Sequence, residues 1–204
     1  MTDGKKKSVV SGLHENVSSF FDAFFKKHST QMKCGLGCSR CCVGNLSVFP
    51  VEAQVIQDWY FSLPQQRKLE LRALWLSQRA DSAALASSNS CVFLAENSCT
   101  IYDVRPAVCR TQGLPLKVPS FDNPDQSGRE NFELSLCELN FTDENKIPGP
   151  SEWLDLERLN TLLVIAQKHE GMAVVSDGIK QITGPETGRV QLADLRDLLL
   201  QLKS

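Results

Sequence analysis

The eight cysteines fall into one spacing pattern: Cys34-x3-Cys38-x2-Cys41-Cys42, then Cys91-x7-Cys99-x9-Cys109, then Cys137, with none outside residues 34–137. Packing requires no such crowding of thiols, whereas zinc and iron–sulfur clusters bind groups of thiolates tightly. The pattern constrains the fold before anything else does, because a shared centre must bring residues 34–42 to residues 91–109. Eight thiolates supply two four-cysteine sites, or one site with supporting residues. Adjacent Cys41 and Cys42 limit the choice: neighbouring side chains usually diverge, so one metal takes both only where the backbone turns sharply. The competing explanation for any single cysteine is a small buried hydrophobe. It is strongest for Cys137, whose surroundings, ELSLCELNF, read as plain strand.

Composition narrows the setting. Lys5, Lys6 and Lys7 are followed by no apolar segment or cleavage pattern, so no secretory signal is expected. The longest apolar run, Leu162 to Ala166, is too short for a bilayer, so no membrane association is expected. In a reducing cytoplasm, the expected location, the cysteines stay thiols unless metal takes them, which disfavours disulfides. The 22 basic and 24 acidic residues give a net charge of −2, without the basic excess expected of a nucleic-acid binder. At 204 residues a single domain over 1–204 is expected, with a cysteine-cluster core over approximately 34–137.

Helical periodicity dominates the rest. Leu13, Val17, Phe20, Phe21, Phe24 and Phe25 predict a helix over about 12–29, leading directly into the cysteines. An extended piece over 43–49 stops at Pro50, which suits the first turn of a helix running to about Phe61. Pro64 opens a longer helix through Leu69, Ala73, Leu76 and Ala80 that fades over Ala86 to Ser90. Cys91–Leu94 and Cys99–Tyr102 read as short strands around Glu96-Asn97, a hairpin. Pro106 starts a helical turn that places Cys109 near a helix N-terminus, where the dipole favours thiolate. Pro115, Pro119 and Pro124 mark a long loop from Gly113 to Gly128. Ser151 is the expected cap of a helix over about 151–170, and a last helix is expected over 190–203, with Gly184 to Gly188 a candidate hinge.

The run CGLGCSRCC, with CVFLAENSCTIYDVRPAVCR further on, resembles the cysteine-cluster family of zinc- or iron-chelating domains often called YkgJ-like, over about residues 34–112. The resemblance implies metal chelation. It carries over Cys34, Cys38, Cys41, Cys42, Cys91, Cys99 and Cys109, with Tyr102, Asp103, Arg105, Pro106 and Arg110 as the surrounding signature. Cys137 lies outside that motif. The same cluster is similar to the chelating region of flagellin lysine N-methylases, which implies an alternative: a protein lysine N-methyltransferase with a structural metal centre. No Gly-rich nucleotide loop supports it.

Lys33, Arg40, Arg105 and Arg110 sit beside cysteines, where they offset thiolate charge or are simply solvated. Asp103 either accepts a hydrogen bond from an arginine or caps the turn before Pro106. Tyr102 reads as half-buried core. Of the histidines, only His28 lies near the cluster, and a surface role outweighs a ligand role there. Cys34-x3-Cys38-x2-Cys41 matches the spacing of radical S-adenosylmethionine enzymes, but Arg40 replaces the usual aromatic and no βα repeat follows. A zinc-stabilised nucleic-acid-binding or interaction module is a third reading, weakened by the single C-x2-C pair. The expectation is a mostly helical α+β domain with a small β-hairpin and a cysteine-rich centre. An iron–sulfur cluster is preferred over Zn2+ because the spacing is irregular and arginines are close. Redox or metal handling follows as the function, with any protein partner unknown.

Overall fold

The first apolar stripe forms α1 (Val9–His28), whose N-cap Ser8 accepts a hydrogen bond from the Ser11 N–H and which buries Val10, His14, Val17 and Phe24. The computed structural model describes residues 8–35, 37–84, 90–120, 132–171 and 175–202, and its architecture is mostly helical α+β with small sheets. Strand β1 (Ser47–Val48) is followed by α2 (Pro50–Ser62), which begins with proline at N1 as expected. Pro64 separates α2 from α3 (Gln65–Ala84). The expected fading of α3 falls largely on residues 85–89, outside the described residues.

Trp75 fixes α3 against the cysteine-bearing segment. It is fully buried, its indole N–H donates to the Thr100 hydroxyl at 3.0 Å, and its ring meets Phe93 edge-on at 5.3 Å. Removing such a side chain costs about 3–5 kcal/mol. The expected hairpin is present but tighter, with β2 (Leu94–Ala95) paired to β3 (Ser98–Cys99). Glu96 and Asn97 both adopt positive φ, 48° and 59°, which suits a two-residue I′ turn. The register sets Leu94 opposite Cys99, so Cys91 precedes the hairpin in a turn closed by the Leu94 N–H on the Cys91 carbonyl at 3.0 Å. Tyr102 begins a 3-10 turn over Tyr102–Val104 rather than ending a strand. Pro106 then leads into the single turn α4 (Ala107–Arg110).

The long-loop expectation is corrected. Leu116–Pro119 is a strand, β4, antiparallel to β5 (Phe132–Ser135) and parallel to β6 (Leu154–Asp155). Pro115 lies just before the strand and Pro119 at its last position, where a missing N–H is tolerated. Residues 121–128 of that stretch lie outside the described residues. The helix expected from Ser151 starts later: Pro150–Glu152 is a 3-10 turn, and α5 (Leu156–Glu170) is capped by Asp155, which accepts from the Arg158 N–H at 2.9 Å. It ends at Gly171, whose φ of 73° favours glycine. A short α6 (Asp177–Gln181) was not expected. The last elements are β7 (Val190–Gln191), paired antiparallel to β1, and α7 (Leu192–Gln201). The candidate hinge is a turn closed by the Gly184 N–H on the Arg189 carbonyl at 2.8 Å.

Two apolar clusters result among the described residues. The larger joins α2, α3, α6 and α7 around Ile56, Tyr60, Trp75, Ile179, Leu195 and Leu199. The smaller holds Phe24, Met32, Leu114 and Phe141. Cysteines contact both: Cys91 and Cys99 pack against the larger, Cys34 against the smaller.

Candidate metal centre

Each cysteine is placed by a local backbone device. Cys38 is exposed, in a turn closed by its own N–H on the Gly35 carbonyl at 3.1 Å. The Cys42 N–H donates to the Ser39 carbonyl at 2.9 Å, so the chain does turn sharply at Cys41-Cys42. Both side chains face one cavity. The Cys91 N–H donates to the Cys42 carbonyl at 2.9 Å, and a bridge pairs Val43 with Ser90. These main-chain contacts bring the two cysteine segments together across α2 and α3. Cys99 ends β3, and Cys109 is carried by α4, whose first N–H, that of Ala107, donates to the buried Glu52 carboxyl at 2.8 Å.

Cys34, Cys38, Cys41, Cys42, Cys91, Cys99 and Cys109 line a cavity of about 670 Å3 together with Asp22, Tyr102, Arg105 and Arg110. Its apolar wall includes Phe21, Phe25, Phe93 and Ile101. Cys137 is not among the lining residues. It follows β5, in a turn closed by the Asn140 N–H on the Cys137 carbonyl at 2.9 Å, so it is not the strand residue its neighbours suggested.

Asn140 and Gly113 shape the Cys34 corner, and neither was singled out from sequence. The buried Asn140 amide donates to Cys34 Sγ at 3.3 Å and to the Gly113 carbonyl at 2.9 Å, while its Oδ1 accepts from the Lys33 N–H at 2.8 Å. A Cβ at residue 113 would lie 2.3 Å from Cys34 Sγ, so glycine there leaves room for the thiol. No local sequence signal marks either residue, because both act on Cys34 from more than seventy positions away.

Burial pushes the thiols of Cys34, Cys91 and Cys99 above the usual thiol value, and Cys109 up to about 12. The expectation that a helix dipole favours Cys109 thiolate is thus corrected. One four-residue turn offers little dipole, and desolvation outweighs it. A hydrogen bond between the adjacent thiols raises Cys41 and lowers Cys42, so the proton they share rests on Cys41. Beyond that pair, the cysteine charges that bear on Cys42 are those of Cys91, Cys99 and Cys109, whereas Cys34 feels Cys137, Cys38 and Cys41. The Arg105 charge favours the thiolates of Cys41, Cys99 and Cys109.

The signature residues form a brace. Arg105 lies 3.6 Å from the Tyr102 ring centroid, and Tyr102 is 59% exposed, an outer stacking surface rather than core. Arg110 donates to the Asp103 carbonyl at 2.8 Å, the Arg105 carbonyl at 2.5 Å and the Ser18 hydroxyl at 2.8 Å, tying α4 to α1. It is the Asp103 main chain, not a carboxylate partnership, that meets the arginine. Lys33 is exposed, and Arg40 pairs with Glu138 at the surface. His28 is engaged by Glu152 at 3.1 Å and stacks on Phe24, away from the thiols.

Among the described residues, no three His, Cys, Asp or Glu side chains stand close enough together to grip a metal ion as they are. The thiols ring the cavity instead of meeting at a point. Even so, the donor set suits a soft metal, since seven thiols line the cavity, an arginine charge acts to favour their ionised form, and a glycine clears space for one of them.

Residues 33–128 match the family model CxxCxxCC, described as "Putative zinc- or iron-chelating domain". No curated protein and no solved structure matches the chain. No helix among the described residues is long and apolar enough to cross a membrane.

Proposed function

We propose that this chain, whose residues 33–128 match the CxxCxxCC family model, chelates metal, holds an iron–sulfur cluster in preference to zinc, and serves in redox or metal handling in the cytoplasm. The observation that carries the reading is the convergence of seven cysteines, from two separate stretches of chain, on one largely apolar cavity. The ligands are drawn from Cys34, Cys38, Cys41, Cys42, Cys91, Cys99, Cys109 and Cys137. Iron–sulfur clusters accept irregular cysteine spacing and are tuned by nearby hydrogen bonds and positive charge. Arg105, beside three of the thiols, and the Asn140 amide on Cys34 offer both. Bound, a cluster would supply one-electron chemistry. The chain's own part is to exclude water with Phe21, Phe25 and Phe93 and to hold the thiols in place.

Purification without oxygen tests the reading. The protein should be brown, contain iron and acid-labile sulfide, and bleach in air or with dithionite. Colourless protein with stoichiometric zinc and no sulfide would remove the cluster and leave a zinc site. Protein that takes up neither metal would overturn chelation altogether.

A further inference from the structure

Resting on the chelation proposed above, the geometry points to two metal centres that meet at the Cys41–Cys42 pair. Cys34, Cys38, Cys41 and Cys137 serve the first, and Cys42, Cys91, Cys99 and Cys109 the second.

Packing separates the two sets. Cys34 belongs to the smaller apolar cluster, with Phe24, Met32 and Leu114, whereas Cys91 and Cys99 lie against the larger one. A single tetrahedral site would have to draw thiols from two different cores.

Hydrogen bonding links Cys34 with Cys137 in the first set, and Cys42 with Cys91 and Cys99 in the second. Asn140 alone connects the two ends of the first: its side chain donates to Cys34 Sγ and its main-chain N–H to the Cys137 carbonyl. In the second, the Cys91 N–H is on the Cys42 carbonyl, the Leu94 N–H is on the Cys91 carbonyl, and Leu94 is paired with Cys99.

Finally, the sharp turn at residues 39–42 presents adjacent thiols at the boundary between the sets, which lets neighbouring residues serve different metals.

Titration of the metal-free, reduced protein with Co2+ alone tests this without depending on the native metal. Thiolate-to-cobalt charge transfer should saturate at about two equivalents in the wild-type chain. Cys137→Ser and Cys99→Ser should each saturate near one, and the double variant should take up none, with circular dichroism confirming the fold. Saturation of the wild type at one equivalent overturns the two-centre assignment while leaving chelation intact. So does a folded single variant that loses all cobalt binding or loses none. A wild-type chain that binds no cobalt removes chelation and the two centres together. The wild-type stoichiometry needs no variant, so the test stands even if a substitution unfolds the protein.

Discussion

Glu52 and Ala107 are joined across the core: the Glu52 carboxyl, 1% exposed, accepts the Ala107 main-chain N–H at 2.8 Å. The same group accepts the Phe49 N–H at 3.1 Å and meets His14 Nε2 at 3.0 Å. One side chain thereby caps α2, seats the turn that carries Cys109 and locks α1 over both.

Glu52→Ala should therefore be among the most damaging single changes away from the cysteines. It strands two main-chain donors and a buried histidine, each unsatisfied group costing about 1–3 kcal/mol. A loss of about 3 kcal/mol or more is expected in urea unfolding, with reduced metal content in the folded fraction. Glu52→Gln, which keeps the shape, should cost less. A Glu52→Ala protein of wild-type stability would remove this role.

Gly113→Ala places a methyl group where Cys34 Sγ sits and forces a side chain onto a φ of 93°. The conformational strain alone is worth about 1–3 kcal/mol. Thermal melting should show that loss, and Cys34 in the metal-free protein should react faster with an alkylating probe. An unchanged Cys34 rate would mean the thiol does not rest on the glycine.

Cys41→Ala and Cys99→Ala should each release metal and lower the melting temperature of the loaded protein by several degrees, since metal binding contributes directly to folded-state stability. The metal-free forms should melt close to metal-free wild type. If both variants keep full metal content and loaded stability, the thiols are not ligands.

Asp155 offers a pH test away from the thiols. The Arg158 N–H, and then the Lys117 ammonium at 3.3 Å, hold its carboxyl below the ordinary value of 3.8. A depressed carboxyl contributes stability that is present above the unfolded value and lost as pH falls through the folded one. Asp155→Asn should keep the cap but flatten this acid-side loss below about pH 4, and Asp155→Ala should cost about 1 kcal/mol at neutral pH. Parallel acid melts of the three proteins read both effects.

The sequence made some of this plain and hid the rest for physical reasons. The phenylalanine stripe of α1, Pro50 at the head of α2 and Glu96-Asn97 in the hairpin are local signals, and all three elements formed. Strand β4 was missed because its partners, β5 and the two-residue β6, lie further along the chain, so the pairing is tertiary. Ser151 looked like a cap, yet Leu154 and Asp155 pair with β4 first and delay α5. Cys109 was placed on the right turn with the wrong electrostatics, because burial cannot be read from spacing. Spacing marked all eight cysteines and the fold lines one cavity with seven of them, while Asn140, Gly113 and Glu52 became visible only once the chain was folded.

The bond between the Cys91 N–H and the Cys42 carbonyl belongs wholly to the main chain. It survives replacement of either side chain, so the rim of the cavity is drawn by the polypeptide and only furnished by sulfur. Such a frame can exchange one ligand for another, histidine or aspartate for cysteine, without redrawing its outline. Its choice of metal is thus adjustable one residue at a time.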